Sequence, residues 1–574
     1  MSDKKIIQCV ADFETTSVFN YENEGKVRVW AWQVRKIADD KEIGIGNNIE
    51  SLFEFLSKKS YEIYYHNLKF DGSFLVDYML RNGWKYVDEN PKANEFSCLC
   101  DEMGNWFSIT MVFKTYNKRR IVTKIYDSLK KLPFSVDKIS KDLLGESVKK
   151  LKIDYTKERD VNHELTEDEI EYLGNDTLIM SKAMRMTFEK GLTKMTAGSD
   201  AFDDFKSEFT KPKFFYLFPK INIEIDDFCR KAYKGGYVYV NPIFANKDIR
   251  GVSSFDVNSL YPSVMYKEYL PYGYPVYYKG KYKANKVWKL FIQHIKCCFK
   301  LKDNHLPTIQ VKNSARFLEC EYLTSSNHEI IDLYLTSIDL KLFFDHYDVY
   351  DLEYIDGYML KGRNGIFTEY IDKWYEQKVN AKNESERFFA KLMLNSLYGK
   401  FGTRCRRRRI RPIIDDKNKL KLVAGEENIE DPKYTPMACF ITAYARNKTI
   451  RSAQAVYDSF IYADTDSIHT TKSVDEISKH IDVDQKALGK WKYEGTCIKA
   501  KFLRAKTYIK EFEDGLHVKC AGMPDEVKKN VKWEEFTFGS EFNGKLVAKK
   551  VTGGTLLVET TFKIKELSKK TFDF

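Results

Sequence analysis

Acidic residues in two distant segments of the chain, Asp256 in one and Asp464 with Asp466 in the other, have side chains suited to binding magnesium. Asp464 and Asp466 follow the apolar residues 460–463, and Asp256 follows a second apolar run that ends at Phe255. Both runs are typical of β-strands, so we expect each cluster at a strand end, where carboxylates can converge. Mg²⁺ prefers hard oxygen ligands and often shares them with substrate phosphates. The spacing therefore predicts a two-metal site for phosphoryl transfer, but with 83 acids in 574 residues the prediction depends on the accompanying motifs.

A second set of acids, in the first third of the chain, predicts another metal site. Asp12 and Glu14 leave a predicted buried strand on the same side, because side chains alternate along a strand. Asp71 is expected at the junction between a strand and a helix. Farther along, Tyr172 and Asp176 lie four residues apart on one face of a helix whose start has capping-type residues. Four carboxylates and a phenol can hold two cations and orient a water for phosphodiester hydrolysis.

A third group of residues is suited to contact with nucleotides. Residues 390–400 predict a helix on which Lys391, Asn395 and Tyr398 share one stripe. A cation, an amide and a phenol in this arrangement match a triphosphate and a base pair. A turn predicted to approach a phosphate backbone closely contains Tyr233, Gly235 and Gly236.

Composition limits the class of protein. The chain of 574 residues is several times the usual domain length of about 100 to 150, so several domains are expected. No uncharged stretch is long enough to span a bilayer and the N-terminus lacks a signal-peptide core, which predicts a soluble protein that is not exported. The eleven cysteines lack zinc-type spacing, so we expect reduced thiols and no structural zinc.

The charge balance favours a polyanionic partner. The formal net charge is +11, and the densest basic run is at residues 404–411. This run fits either contact along a phosphate backbone or a solvated hairpin. Aromatic residues make up 15% of the chain and can stack on unpaired bases, although most must form the core.

The order of these motifs resembles that of family B DNA polymerases over nearly the whole chain. The motifs are Asp256 with Ser259, Leu260, Tyr261 and Pro262; Lys391 with Asn395, Ser396, Tyr398 and Gly399; Tyr462 with Asp464, Thr465, Asp466 and Ser467; and Lys506 with Thr507 and Tyr508. The N-terminal acids with Tyr172 resemble the three motifs of proofreading 3′ to 5′ exonucleases. Because none of the four acids is replaced, the resemblance implies an active nuclease.

Within that family, further segments are similar to the protein-primed replicative polymerases of phages. They are His66–Gly72, Ser128–Phe134, Met195–Ser199, Tyr434–Met437 and Lys519–Met523. The resemblance implies a multidomain α/β and α+β fold, with a ribonuclease-H-like exonuclease domain and a right-hand polymerase that carries two insertions particular to protein priming. The implied boundaries are 1–196 for the exonuclease domain, 197–267 and 435–520 for the palm, 268–366 for the first insertion, 367–402 for the fingers, 403–434 for the second insertion and 521–574 for the thumb.

The resemblance also implies roles for individual residues. The metal ligands of the polymerase site are Asp256, Val257 and Asp466, with Asp464 assisting catalysis. The nucleotide-binding residues are Val257, Tyr261, Lys378, Lys391, Asn395 and Tyr398, of which Tyr261 excludes a ribose 2′-hydroxyl. The metal ligands of the exonuclease site are Asp12, Glu14, Asp71 and Asp176, and the residues that support its catalysis are Lys150 and Tyr172. The residues that hold the single strand there are Thr15, His66, Asn67, Phe70, Ser128, Leu129 and Phe134. The remaining DNA contacts are Tyr233, Gly235, Gly236, Ser259, Lys400, Lys506 and Tyr508.

The implied cofactor is Mg²⁺, two ions per active site, with Mn²⁺ as a substitute. The implied partners are template and primer DNA, deoxynucleoside triphosphates, a terminal protein that provides the first hydroxyl and, as a further option, a viral single-strand binding protein. We expect a monomer or a heterodimer with the terminal protein, in the cytoplasm of the infected host cell and without a membrane partner.

Two alternatives stay open. One is a nuclease whose polymerase body only holds DNA, which the intact Asp256, Lys391 and Asp466 argue against. The other is a noncatalytic basic protein with salt-sensitive DNA binding and no metal-dependent turnover. Two features depart from the family pattern: the basic run at 404–411, which implies a tighter grip on DNA, and the short segment 508–520.

Overall fold

The computed structural model describes residues 6–16, 25–116, 119–145, 163–311 and 321–566, together with 148, 150–151, 153–154, 157 and 159–160. Helices and strands in this part of the chain are arranged around three larger sheets and several two-stranded hairpins. None of the helices in these ranges is long and apolar enough to cross a membrane.

The N-terminal part is built on an eight-stranded sheet. Across the sheet the strands are Glu42–Gly46, Val29–Lys36, Ile7–Thr15, Tyr61–Tyr65, Arg119–Asp127, Trp106–Tyr116, Glu95–Cys100 and Lys85–Tyr86. The strand that carries Asp12 and Glu14 lies inside the sheet and runs parallel to Tyr61–Tyr65. The helices of this part are Ile49–Leu56, Leu68–Arg81, Val136–Leu144 and Glu167–Glu189, with a 3-10 turn at Ser128–Lys130.

The predicted start of the helix that carries Tyr172 and Asp176 is confirmed. The Thr166 hydroxyl accepts a hydrogen bond from the backbone N–H of Glu169, whose carboxylate in turn accepts one from the Thr166 N–H. This reciprocal capping satisfies two backbone donors that a helix start would otherwise leave unpaired. The helix therefore begins at a fixed point and directs Tyr172 and Asp176 toward the sheet.

A seven-stranded antiparallel sheet forms the second part. Its strands are, in spatial order, Gly515–Cys520, Thr507–Phe512, Trp491–Arg504, Ile249–Val257, Ser467–Thr470, Phe460–Asp464 and Val238–Val240. Asp256 is the penultimate residue of its strand, and Asp464 is the last residue of its own strand. Both predicted strand-end positions are thus confirmed. The short segment 508–520 consists of the two outermost strands, which are joined by a two-residue turn at Glu513 and Asp514.

Helices cover the faces and one end of this sheet. They are Ala197–Ser207, Lys211–Leu217, Ile223–Ala232, Leu260–Lys267, Thr368–Val379, Glu384–Ser396, Tyr398–Phe401, Thr435–Gln454, Val474–Ile477 and Asp525–Lys528, with a 3-10 turn at Tyr457–Ser459. The helix Thr435–Gln454 is buried along most of its length and forms the middle of the largest core cluster.

The helix predicted over residues 390–400 is interrupted. Its hydrogen-bonded ladder ends at Ser396, and a separate short helix begins at Tyr398. Leu397 is buried between them and keeps helical dihedral angles, so the chain direction changes little. Gly399, a weak helix former, follows the break. Lys391 and Asn395 still share an exposed face, and Tyr398 is half-buried.

The two segments expected as insertions have strands of their own. The first contains a four-stranded sheet of Leu270–Lys279, Tyr347–Arg363, Leu290–Leu301 and Ile331–Thr336, the helix Ser337–His346, and a short pair of strands, Ile309–Gln310 and Tyr322–Leu323. The second is a hairpin of Arg406–Ile414 and Leu420–Ile429. The basic run therefore lies on a hairpin. Near the C-terminus a further hairpin pairs Glu541–Val551 with Gly554–Lys563.

Candidate active sites

The first site joins two neighbouring strands of the seven-stranded sheet. Asp256 is opposite Ser467 in the antiparallel register, and the backbone N–H of Val257 donates to the Asp466 carbonyl at 2.7 Å. Asp466 lies in the turn just before Ser467, so the two acids meet at one edge of the sheet. Burial, followed by the charge of Asp466, raises the pKa of Asp256 to about 7. One oxygen of Asp256, Oδ1, is buried without a hydrogen-bond partner among the described residues.

Asp464 sits beside this pair but is held by other groups. The Lys506 ammonium donates to both of its carboxylate oxygens, at 2.7 and 2.9 Å, and the Tyr462 hydroxyl donates to Oδ2 at 3.2 Å. The backbone N–H of Lys506 also donates to the Tyr462 hydroxyl at 3.0 Å. The Tyr508 ring packs 5.4 Å from the Tyr462 ring. The structure thus places Lys506 and Tyr508 next to the carboxylates.

A cationic and aromatic wall faces these acids. Tyr261 stacks on Tyr398 with ring centroids 4.0 Å apart. The Lys378 ammonium donates to the Ser259 hydroxyl at 2.9 Å. Burial, and then the charge of Lys391, lowers the pKa of Lys378 to about 8. Lys378 and Lys391 thus lie close enough for their positive charges to repel, and such a region is suited to an anion such as a triphosphate.

The second site gathers the four N-terminal acids. Burial, followed by the charge of Asp176, raises the pKa of Asp12 to about 7. Burial and the charge of Asp12 raise the pKa values of Glu14 and Asp71 well above their usual range. Mutual repulsion of this kind requires that the carboxylates lie close together. These shifts agree with the expected convergence of the four acids, and their role as one metal site stays a prediction.

A lysine enters this acid cluster. The Lys150 ammonium lies 2.9 Å from Asp176 Oδ2, and the charges of Asp176 and Tyr172 help to raise the lysine's pKa against the effect of burial. Asp176 Oδ1 is buried without a hydrogen-bond partner among the described residues. One lysine therefore neutralises only part of the negative charge that the four carboxylates of this cluster carry when they are ionised.

The residues expected to hold a single strand lie at the edge of this cluster. The His66 imidazole is hydrogen-bonded to the Ser128 hydroxyl at 3.0 Å and to the Phe134 carbonyl at 2.7 Å. Burial lowers the pKa of His66, so the ring is neutral at pH 7. Phe134 also contacts Phe388, with ring centroids 4.9 Å apart. The other members are Thr15 at the end of its strand, Asn67 and Phe70 at the start of the following helix, and Leu129 in the 3-10 turn.

The donor sets fit divalent cations, although no group of three or more metal-type side chains in the described ranges already has the spacing of a metal cage. Each site leaves one carboxylate oxygen, on Asp176 and on Asp256, buried and without a partner. Buried carboxylates with raised pKa values gain free energy when a cation arrives. All of the donors are hard oxygens, which is the preference of Mg²⁺.

Comparison with known proteins identifies the family of this chain. A family model described as DNA polymerase type B, organellar and viral, matches residues 54–483. The chain belongs to this family. It is therefore a DNA-directed DNA polymerase, as the order of motifs predicted.

Close relatives of this polymerase come from phages. The DNA polymerase of Bacillus phage phi29 is 43% identical over 98% of this chain and 99% of its own length. The DNA polymerase of Streptococcus phage Cp-1 is 37% identical over 97% and 98%. The structure of phi29 DNA polymerase complexed with primer-template DNA superposes with a TM-score of 0.92, at 42% identity over 98% of this chain and 100% of that one. The expected multidomain fold is confirmed, while the individual domain boundaries stay predictions.

One residue that supports the polymerase site, Arg446, could not be found from the sequence motifs. Arg446 donates to the carbonyls of Lys234 and Gly235 at 2.8 and 2.9 Å, and so fixes the glycine-rich turn. A Cβ on Gly236 would lie 2.6 Å from the Thr465 hydroxyl, so this glycine lets the turn approach the segment that carries Asp464 and Asp466. Arg446 had no local signal because it acts through residues more than 200 positions away.

Two further members of the predicted DNA-binding set are Tyr233, which belongs to this turn, and Lys400. The Tyr233 ring lies against Gly402, where a Cβ would come within 2.7 Å of the tyrosine hydroxyl. Burial, and then the charge of Arg407, lowers the pKa of Lys400. Their contacts with DNA stay predictions.

The N-terminal site also has an unpredicted support. Asp127, which is 2% exposed, accepts hydrogen bonds at 3.0 Å from the backbone N–H groups of Asn67 and Leu129. It thereby ties two of the predicted strand-binding segments to each other. Its position just before Ser128 is the signal that could have identified it, because an aspartate before a helical turn is a common cap.

Proposed function

We propose that this polymerase replicates viral DNA from a protein primer, with processive, strand-displacing synthesis and a 3′ to 5′ proofreading exonuclease. The observation that carries the proposal is the presence of two separate acid clusters, one formed by the eight-stranded sheet with two of its helices and one at the seven-stranded sheet. Each cluster contains a buried carboxylate oxygen without a partner, on Asp256 and on Asp176. Two such sites in one chain support two metal-dependent reactions on the same substrate.

In the proposed synthesis the primer 3′-hydroxyl attacks the α-phosphate of a deoxynucleoside triphosphate, and pyrophosphate leaves. Asp256 and Asp466, with the Val257 backbone, would hold Mg²⁺, which when bound stabilises the entering and leaving oxygens. Lys378 and Lys391 neutralise the triphosphate. The Tyr261 ring, held by its stack on Tyr398 4.0 Å away, occupies the space that a ribose 2′-hydroxyl would need.

In the proposed proofreading reaction a melted primer end reaches the N-terminal site. Asp12, Glu14, Asp71 and Asp176 would bind Mg²⁺ there, which when bound activates water for attack on the terminal phosphodiester. Tyr172 orients that water. Lys150, 2.9 Å from Asp176, keeps this carboxylate in place and places a positive charge near the phosphate.

Two hairpins that extend as arms, one in the second insertion and one near the C-terminus, support the proposal of processive synthesis. Ile410 and Leu420 of the second insertion, together with Val551 and Leu556 of the C-terminal hairpin, are buried in the core cluster of the N-terminal sheet. Both arms thus leave the polymerase body and return to the N-terminal part, an arrangement that can enclose a template strand. The first insertion, with its own four-stranded sheet, is the proposed surface for the terminal protein.

The test separates the two sites by substitution. In an assay with primed template, Mg²⁺ and deoxynucleotides, Asp466→Ala is expected to reduce synthesis at least about 100-fold and to leave degradation of single-stranded DNA unchanged. Asp12→Ala combined with Glu14→Ala is expected to do the reverse. Loss of both activities in either variant would contradict two independent sites.

Protein priming has its own test. Incubation of the wild-type protein with a candidate priming protein, an unprimed template and one labelled deoxynucleotide is expected to label the priming protein. The control is the Asp466→Ala variant, which should not label it. Labelling in that control would show that the reaction does not use the proposed site.

A further inference from the structure

A buried polar network lies within the sheet that carries the polymerase carboxylates. The Lys510 ammonium reaches across the strand Trp491–Arg504 and lies 2.7 Å from the Ser254 hydroxyl and 3.1 Å from His469 Nδ1. Ser254 and His469 are also 2.9 Å apart. Ser254 precedes Asp256 by two residues on the same strand. The network therefore joins the strands on which the catalytic acids are placed.

The protonation states in this network follow from burial. Burial lowers the pKa of His469 well below its usual range, and the charge of Lys510 lowers it further, so the imidazole is neutral and Nδ1 accepts a hydrogen bond. Burial lowers the pKa of Lys510 to about 8, so the amine is still protonated at pH 7 and donates. No carboxylate in the described chain forms an ion pair with Lys510. A buried ammonium without a counter-charge costs free energy, which a purely structural network would avoid with an apolar side chain.

The network continues from His469 to the active site. The His469 ring stacks on the Tyr462 ring, with centroids 5.4 Å apart and planes 18° apart. Tyr462 is fully buried, and its hydroxyl donates to Asp464 Oδ2 at 3.2 Å. The position of this hydroxyl thus depends on the imidazole behind it, which Lys510 holds.

We propose that Lys510 and His469 are positioning residues for nucleotide addition, which hold Tyr462 so that its hydroxyl orients Asp464. Neither residue touches DNA or nucleotide in this role. The inference rests on the proposed function of Asp464 in synthesis. The exonuclease acids lie on the strand Ile7–Thr15 and on the helices Leu68–Arg81 and Glu167–Glu189, none of which belongs to the sheet of this network, so the network should affect synthesis and leave degradation unchanged.

The test uses the exonuclease as an internal reference in the full-length protein. Lys510→Met removes both hydrogen bonds and keeps the length of the side chain. We expect kcat for primer extension to fall about tenfold, the KM for deoxynucleotide to change less than about twofold, and the exonuclease rate to stay within about twofold of wild type. Lys510→Gln, which keeps a donor, should recover part of the loss. The matched control is Lys499→Met, which removes a half-exposed ion pair with Glu511. This pair joins the strand that carries Lys510, Thr507–Phe512, to its neighbour Trp491–Arg504.

A double-mutant cycle distinguishes positioning from general destabilisation. Tyr462→Phe keeps the ring stack but removes the hydrogen bond to Asp464. If Lys510 acts through Tyr462, the double variant should be no more than about twofold slower than Tyr462→Phe alone, whereas independent effects would multiply. Multiplied effects, an unchanged Tyr462→Phe variant, or a proportional loss of both activities in Lys510→Met would overturn the proposal.

Two further variants keep the outcomes distinguishable. If Lys510→Met does not fold, Ser254→Ala removes two of the network's three contacts, those with Lys510 and His469, at little cost in volume, and a selective loss of synthesis is again expected. Wild-type synthesis in Ser254→Ala would then refute the proposal. If Lys510→Met is as active as wild type while Asp466→Ala is inactive, the inference fails and the proposed function stands. If Asp466→Ala still synthesises DNA, the proposed function itself fails.

Discussion

Replacement of Asp12 by asparagine is expected to stabilise the N-terminal domain while it abolishes exonuclease activity. Asp12 has a pKa of about 7, raised by burial and by the charge of Asp176. In the unfolded chain the same carboxyl would titrate near 3.9. The ionised form is therefore disfavoured in the folded protein, and asparagine removes that cost.

The magnitude follows from the pKa. At about 1.4 kcal/mol per pH unit, the change from about 3.9 to about 7 corresponds to a cost on the order of 4 kcal/mol for the ionised form. Because Asp12 is only partly buried by its accessible surface, we expect about half of this, near 2 kcal/mol, to be realised. For a domain of roughly 190 residues this raises the unfolding midpoint by about 4 to 8 °C.

The pH dependence has a definite sign. Between the unfolded and folded pKa values the folded state binds more protons, so the stability of wild type should fall as pH rises from about 4 to about 7 and level off above that. The variant lacks this contribution, so its advantage should be small at pH 4.5 and full at pH 8. Mg²⁺ should stabilise wild type more than the variant, since the variant has lost a ligand.

Differential scanning calorimetry of both proteins in a metal chelator and in Mg²⁺, at pH 4.5 and pH 8, measures these differences. The matched control is Asp142→Asn, an exposed aspartate of the same domain that pairs with Lys138. The reasoning would be refuted if Asp12→Asn unfolded at or below the wild-type temperature at pH 8 in chelator, or if its advantage were independent of pH.

Three further predictions concern the nucleotide pocket, the basic hairpin and the domain junction. In single-nucleotide extension, Tyr261→Val should raise the incorporation of ribonucleotides relative to deoxynucleotides at least about tenfold, which corresponds to about 1.4 kcal/mol of activation free energy. Unchanged selectivity would show that the ring does not face the sugar. Asp88→Ala removes the ion pair with Arg411, at 2.8 Å, and should shorten strand-displacement products on a primed circle while it changes stability by less than about 1 kcal/mol. Products of wild-type length would mean that the hairpin does not depend on this ion pair for its position. Lys131→Met removes the ammonium that lies 2.6 Å from the buried Asp200 carboxylate, and it should lower the free energy of unfolding by about 3 to 5 kcal/mol in chemical denaturation. The addition of Asp200→Asn should restore part of this stability. If it does not, an electrostatic cause is contradicted.

Local sequence patterns were enough to place the acids of both predicted sites relative to their strands and helices. The apolar runs before Asp12, Asp256 and Asp464 are local patterns. Side-chain alternation along a strand places Asp12 and Glu14 on one side, and the ends of the other two runs indicate strand ends. The capped start of the helix that carries Asp176 was equally local, because Thr166 and Glu169 are three residues apart.

The tertiary structure decided which charges meet. The basic run at 404–411 has the same sequence signal whether it binds phosphate or other parts of the chain. In the structure Arg409 and Arg411 lie against Asp88, more than 300 residues away, and Arg406 pairs with Asp227. The expectation of a tighter DNA grip therefore does not extend to all of these arginines.

The interruption at Leu397 and the network around Lys510 have the same origin. Leu397 is fixed by packing in the core, and Lys510 finds Ser254 across an intervening strand. Periodicity predicts which face of a helix or strand a residue lies on, but it does not predict which distant side chain packs against that residue. Such pairings are set when the sheets and helices pack, because only then do groups far apart in the chain come within hydrogen-bonding distance.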